Sequence, residues 1–390
     1  MSDTQKNKKP NVPNLRFPGF EEEWERIRVS DLLEFFSTNS LSWEQLEYGG
    51  GEILNLHYGL IHNGLPTQID LEKSILPSVK SDFKPRKYIL CKDGDLAFAD
   101  ASEDTNEVGK VVEFINCADS EIICGLHTIH GRDKLGKTIP GFKSYAFSSP
   151  VFHNQIRRIA QGTKIFSINT RNFEEVFIGI PQKKEQKKIA ALMSLVDQRI
   201  AIQNKVIEKY ESLIKALAYK IIGNNAPNRT LSECVRCVSS TLKENDLKEA
   251  GAVPAYGAAG ISGYTNIALT KGDSILITKD GSGVGTLRYV HGPHSFVGTL
   301  NSMTPHEGVY LPYIYYALQN VCFDSYRTGQ AIPHIYFKDY GGKAIYCPSF
   351  DDQKRLAIGL EMIDAKIGVE RAALQTLLLA KAYLLSAMFI

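Results

Sequence analysis

An excess of one charge is missing from this sequence. Its 45 Lys and Arg residues stand against 43 Asp and Glu, a formal net charge of +2 over 390 residues. That excludes a polybasic tail protein and confines any nucleic-acid contact to a local patch. Cysteine is sparse as well: seven residues, an odd number, spread from Cys91 to Cys347. With no secretory signal in the opening MSDTQKNKKP, this composition points to free thiols and a cytoplasmic location. Cys234-Val-Arg-Cys237 has metal or redox spacing, but no second Cys or Cys/His pair follows at ligand spacing. It reads as two partly buried thiols, with no metal site. No apolar run reaches the ~20 residues of a membrane span. The nearest, Ala372 to Ile390, is broken by Lys381 and reads as a packed helix.

Catalytic motifs are also lacking. The glycine-rich stretch Asp280 to Thr286 has no Lys followed by Ser or Thr after its last glycine, so it is not a Walker A loop. A dinucleotide fingerprint would need Gly or Ala where Thr286 stands. A hairpin that brings backbone close to a partner fits better. His127 and His130, and likewise His291 and His294, are three apart, but without a carboxylate or Cys at ligand spacing they read as structural histidines. There is no Gly-x-Ser-x-Gly elbow, no paired Cys/His nucleophile, and no Asn-Pro-Pro-Tyr or Asp-Pro-Pro-Tyr tetrapeptide of an amino-methyltransferase. The chain is expected to be non-catalytic and to bind no cofactor of its own.

What is present is length, hydrophobic content and a long internal repeat. With 43% hydrophobic residues, 390 residues suffice for two or three domains with real cores. The segment GTKIFSINTRNFEEVFIGIPQKKEQKKIA from Gly162 aligns without gaps on GQAIPHIYFKDYGGKAIYCPSFDDQKRLA from Gly329, an offset of 167 residues. The register pairs Ile165 with Ile332, Ile178 with Ile345, Pro181 with Pro348 and Gln186 with Gln353, and it runs on through Asp197 and Asp364 to Leu217 and Leu384. Two copies are too few for a solenoid, so the repeat is a duplicated domain with its helix.

Each copy continues past its proline into an amphipathic helix. The first stripe is Ile189, Leu192, Val196, Ile200, Ile207, Tyr210, Ile214, Leu217 and Ile221, with Gln203 at the missing step. The second is Leu356, Ile363, Ile367, Leu374, Leu377, Leu384 and Met388, with Glu370 and Lys381 as polar intruders. Neither helix can hide such a face alone, so the two are expected to pack on each other. From Val151 to Phe173 the chain carries Arg157, Arg158, Lys164 and Arg171 with no acidic residue, interleaved with Ser167 and Asn169. Such a basic, polar stripe suits phosphate and base-edge contact. The second copy places Arg327, Gln330, His334, Tyr336 and Lys338 in the matching segment, and Lys279 and Ser282 belong to the glycine-rich hairpin nearby.

These residues carry a resemblance to the specificity subunits of type I restriction-modification systems, over nearly the whole chain. NLRFPGFEEEWE near the start and VPAYGAAGISGY in the second half resemble such subunits too. The resemblance implies an α+β fold: two strand-rich target-recognition domains separated by two long antiparallel coiled-coil helices, an internal pseudo-twofold repeat. The expected boundaries are a flexible lead-in over 1–20, recognition domains over 21–180 and 224–347, and helices over 181–223 and 348–390. It also implies that each domain reads half of a bipartite site in double-stranded DNA. Two methyltransferase subunits would assemble on the helices, with restriction/translocase subunits joining them. S-adenosylmethionine, ATP and magnesium would serve those partners. The competing readings are a coiled-coil scaffold whose globular ends bind protein, and an enzyme with an unrecognised site.

Overall fold

The computed structural model describes residues 11–117, 120–329 and 332–390. The chain forms two compact units. One comprises residues up to Ala201 together with Gln375–Ile390, and the other Ile202–Leu374, so each unit includes part of both long helices.

The first unit is built on a five-stranded sheet in the order Leu33–Phe36, Thr128–Asp133, Leu96–Ala99, Val111–Ile115, Gln68–Asp70. The first three pairings are antiparallel and the last is parallel. Leu96–Ala99 is buried at every residue, as befits the centre of a sheet covered on both faces. Phe98 of this strand packs with Phe147, Phe152 and Phe173 on one side, while Ala97 and Ala99 face the cluster of Leu56, Ile69 and Phe114 on the other. The strands Glu25–Arg28 and Phe177–Ile180 pair antiparallel to close the unit just before the first long helix.

The second unit repeats this plan. Its central sheet runs Val235–Ser239, Leu300–Pro305, Ser274–Thr278, Leu287–Val290, with all three pairings antiparallel. Ser274–Thr278 is buried at every residue, as Leu96–Ala99 is in the first unit. The closing pair recurs as Arg229–Thr230 with Ala344–Ile345. The first unit is larger by an additional parallel edge strand and a four-stranded second sheet, against a three-stranded one here.

The long helices span Lys183–Ala218 and Phe350–Ala387. Pro181 and Pro348 precede them, and Ser349 caps the second by accepting the Asp352 N–H at 3.3 Å. Glu185 in the first turn of one helix, and Asp351 and Asp352 in that of the other, suit the positive end of the helix dipole. The first helix ends in a π turn over Tyr219–Gly223.

The lead-in differs from expectation. Residues 1–10 lie outside those described, but from Asn11 on the chain is engaged. Trp24 N–H donates to Asn11 O and Leu15 N–H to Ala387 O, each at 2.8 Å. The Arg16 guanidinium grips the fully buried Glu185 carboxylate through two hydrogen bonds of 2.8 and 2.9 Å. Leu15 and Phe17 pack beside Trp24, Phe142 and Met388. Composition alone hid this: three prolines and short polar runs suggest extended chain, while the two apolar side chains and one arginine that anchor it are few.

Candidate nucleic-acid interface

The segment singled out by the repeat forms the same hairpin in both units. In the first, Gln161 and Ser167 exchange two backbone hydrogen bonds of 3.0 and 2.8 Å. Ile168 N–H then donates to Asp100 O at 2.9 Å, and Asp100 N–H donates to His127 O at 3.1 Å. In the second, Thr328 and His334 exchange two bonds of 2.9 Å, Ile335 N–H reaches Lys279 O at 2.9 Å, and Lys279 N–H reaches Thr299 O at 2.9 Å. A glycine opens each hairpin for a steric reason. Gly162 and Gly329 have φ of 138° and 86°. A Cβ there would stand 1.8 Å from the Ile165 carbonyl oxygen and 2.5 Å from that of Ile332. At the tips, Ile165 and Ile332 are left 60% and 65% exposed.

The basic stripe lies on this frame and the elements beside it. Arg157 and Arg158 end the helix Pro150–Ile159, where cations suit the negative end of the dipole. Arg157 is held by Asn106 and Asn154, whereas Arg158 and Lys164 make no ion pair among the described residues. Asn169 caps the turn Thr170–Glu174 by accepting the Arg171 N–H at 2.9 Å, which leaves the exposed Arg171 side chain projecting from a fixed backbone. Lys164 and Ser167 are exposed. In the second unit Ser282 is exposed at the glycine-rich turn, and Lys279 is half-buried 3.9 Å from Asp280. Arg327 pairs with Asp324 at 2.9 Å, the Lys338 ammonium lies over the Tyr336 ring at 5.3 Å, and the His334 ring meets Tyr336 edge-on. Gln330 falls outside the described residues. The glycine-rich turn joins this surface directly, since Gly281 N–H donates to Pro333 O at 2.9 Å.

The frame brings in two further residues: Asp100, which the sequence did not single out, and His127, which it offered only as a structural histidine. Asp100 stands where the second unit has Lys279, and His127 where it has Thr299. The His127 ring nitrogen Nδ1 lies 3.1 Å from Asp100 Oδ1. Burial raises the Asp100 pKa, and His127 works against that rise. Rings continue outward from His127 through Tyr58 and His57 to the exposed Trp43, with centroids 5.1, 4.7 and 4.5 Å apart.

Both units hold the long helices through equivalent buried groups. Gln186 accepts the Ile139 N–H at 3.0 Å and donates to Lys137 O and Pro181 O at 2.9 and 2.8 Å. Gln353 accepts the Tyr310 N–H at 2.8 Å and donates to Pro348 O at 2.8 Å, with Gly308 O at 3.4 Å. The Tyr145 hydroxyl donates to Asp197 at 3.0 Å, and the Tyr316 hydroxyl to Asp364 at 3.2 Å. Within the first unit Ile189 and Met193 cluster with Met388, and Asp197 meets Lys381 at 2.6 Å. Within the second, Gln203 donates to Glu370 O at 3.0 Å, and Ile207 and Ile214 cluster with Ile367 and Leu360. Ile189, Ile207, Ile214 and Ile367 are buried, while Val196, Ile200, Leu217, Ile363, Leu374, Leu377 and Leu384 are half-buried. Lys381 sits on the stripe, neutralised by Asp197. The opposite face keeps apolar side chains in water, and two pairs of them share the repeat register: Leu195 with Met362, 63% and 71% exposed, and Ile202 with Val369, 53% and 61% exposed.

The buried ionisable groups read as structure. One trio of ligand-type side chains lies close among the described residues, Cys91, Cys124 and His130, their ligand atoms within 4.8 Å of one another. Burial is the largest single influence on His130 and opposes its charge, yet the 2.8 Å hydrogen bond to Asp95 and the interactions with Cys91 together outweigh it and raise the pKa to about 9. Burial also pushes the Cys91 thiol well up, and its sulfur lies 3.6 Å from that of Cys124 in the same buried network. In the second unit burial lowers the pKa of His294, whose ring nitrogens meet Ser274 Oγ and Gly292 O at 2.8 Å each. Cys234 and Cys237 are free thiols, one buried and one half-buried.

Residues 21–212 and 236–379 match the family model of the type I restriction modification DNA specificity domain. The chain belongs to that family. A type I specificity subunit recognises DNA within a restriction-modification complex and is not its catalytic component. This specificity subunit is 27% identical over 273 residues to a Mycoplasma pneumoniae protein described as type I specificity subunit S.MpnORF638P, covering 60% of this chain and 71% of that one. The fold is also that of the type I S subunit from M. genitalium, at 20% identity and a TM-score of 0.59 over 97% of this chain and 99% of that one. A second solved chain, from work on complex assembly and conformational transition of the type I system, gives 15% identity and a TM-score of 0.53 over 95% of this chain and 98% of that one. No helix among the described residues is long and apolar enough to cross a membrane.

Proposed function

We propose that the two units are target-recognition domains, each reading one half of a bipartite site in double-stranded DNA, and that the two long helices form an antiparallel coiled coil that fixes the gap between the halves. The observation that carries this reading is the recurrence of one hairpin frame, bond for bond, with different polar side chains on it. Phosphate contacts position a protein and base contacts specify its sequence, so a constant frame with variable polar residues suits two different half-sites. The basic side chains Arg158, Lys164 and Arg171 supply DNA-backbone contacts in the first half, and Arg327 and Lys338 in the second, where Lys279 at the base of the hairpin reaches a base edge. Gln330 belongs to this set by its place in the repeat.

The same reading gives the helices a pseudo-twofold character and two methyltransferase subunits docked on them. The apolar pairs Leu195/Met362 and Ile202/Val369 support it, since one exposed pattern written twice suits one partner bound twice. In such a complex methylation draws on S-adenosylmethionine held by the methyltransferase subunits, and restriction subunits use ATP and magnesium. Methylome sequencing of a cell carrying the complex tests the reading. The expected result is methylated adenine in a motif of two specified halves around an unspecified gap. A contiguous motif, or none, would contradict it. Duplex binding should also weaken steeply with salt through counterion release, which a protein-binding scaffold would not do.

A further inference from the structure

We infer that Asp100 and His127 together read a base edge in the first half-site, taking the exocyclic amino group of cytosine or adenine in the major groove. This rests on the reading of the first unit as a DNA-recognition domain. It departs from the basic stripe, since the position is acidic where the second unit has a lysine.

Three observations converge. The first is location: Asp100 is tied by its backbone to Ile168, and the next residues, Ala101 and Ser102, pair with Ser167 and Phe166 of the hairpin. The carboxylate therefore stands at the base of the hairpin that bears Lys164. The second is substitution on a constant frame. The hydrogen bonds from Asp100 to His127 and from Lys279 to Thr299 are the same backbone link, so the fold needs neither a carboxylate nor an imidazole here. The third is strain. His127 holds φ at 54°, one of only two non-glycine residues with positive φ among those described. A left-handed conformation costs an ordinary residue on the order of 1 kcal/mol or more. Glycine would hold this turn without that cost. The imidazole is kept instead, its side chain 49% exposed beside an Asp100 side chain that is 29% exposed.

The chemistry of the pair selects the ligand. With His127 Nδ1 donating to Asp100 Oδ1, the other carboxylate oxygen remains an acceptor, as does Nε2 in the tautomer that carries its single proton on Nδ1. Two acceptors side by side complement an amino group, which in the major groove is cytosine N4 or adenine N6. They disfavour guanine O6 and N7, and thymine O4, which present acceptors of their own. Lys279 has the opposite preference, for guanine acceptors or phosphate oxygens. The Tyr58 ring meets His127 edge-on at 5.1 Å, and the His57 ring packs on Tyr58 at 4.7 Å.

The test uses the full chain assembled with its methyltransferase subunits, acting on duplexes that vary the target one base pair at a time. Asp100→Asn and His127→Gly are compared with wild type, and Lys279→Ala marks the half-site of the second unit. Glycine suits the backbone at position 127, so that variant separates readout from folding. We expect both first-unit variants to lose about tenfold or more discrimination at one shared base pair, where wild type prefers an amino-bearing base. Cytosine and adenine duplexes show which amine is read. Unchanged discrimination in both variants, with Lys279→Ala still altering one half-site, overturns this inference alone. A shared base pair carrying guanine or thymine on the contacted strand overturns it too. If wild type shows no bipartite preference, the recognition-domain reading fails and this inference falls with it.

Discussion

The two sheets end in one hairpin and differ in what they hang on it. Asp100, His127 and Ser167 line the first copy, Lys279, Thr299 and His334 the second, yet the backbone bonds beneath agree to within 0.2 Å. The difference separates two jobs that a single domain would leave entangled. Backbone links and buried glutamines make the fold, and the exposed side chains on that fold are free to diverge. The interiors diverge as well, with a buried charged histidine in the first unit and a buried neutral one in the second.

The sharpest way to break this comparison is through the glutamines. Gln186→Leu leaves the Ile139 N–H and two carbonyls without their partner, and should cost about 3 kcal/mol, since each stranded buried polar group costs roughly 1–3 kcal/mol. Gln353→Leu should cost a similar amount by the same route. Urea unfolding checks both, and a large loss from one with none from the other would mean that the copies dock their helices differently.

Next comes pH. The folded pKa of His130, about 9, lies above its ordinary value of 6.5, so its contribution is complete below pH 6.5 and is lost as pH rises through about 9. The stability advantage of wild type over His130→Gln should therefore shrink by roughly 3 kcal/mol between pH 6 and pH 10. His294 has the opposite sign. Its folded pKa is lowered, so its contribution is complete above pH 6.5 and is lost as pH falls below 6.5, where the unfolded chain takes up the proton that the buried ring resists. Removing His294 should leave the alkaline limb unchanged. A flat His130 difference across this range would remove the contrast.

A smaller effect is expected at Lys381. It neutralises Asp197 at 2.6 Å, while the second copy has Ile214 at the matching place and leaves Asp364 with the Tyr316 hydroxyl. Lys381→Met should cost about 1 kcal/mol, because the pair is only half-buried. A stabilised variant would show that the charge is tolerated and not used.

How much of this was legible depends on whether the repeat stays in register. From Gly162 to the helix ends the offset is a constant 167, so the hairpins, the paired prolines, the glutamines and the helical stripes could all be read from the chain. Upstream the register drifts. Tyr145 and Tyr316 are 171 apart and Asp100 and Lys279 are 179 apart, because insertions in the first unit separate short strands. Four- to six-residue strands carry too little pattern to realign, so Asp100 escaped notice and His127 read only as a structural histidine, while the basic stripe stood out. Lys381 looked like a fault in the stripe for a related reason. Its partner Asp197 lies 184 residues away, and only the packed helices bring the two together.

The central claim, two reading heads on one ruler, is tested most directly by the methylome of a variant with four residues inserted after Gln203. One added helical turn keeps the apolar face in phase and lengthens the helix by about 6 Å. At about 3.4 Å per base pair, the unspecified gap should grow by about one or two pairs while both half-sites stay as they were. An active variant with an unchanged gap, or with either half-site altered, would contradict the account.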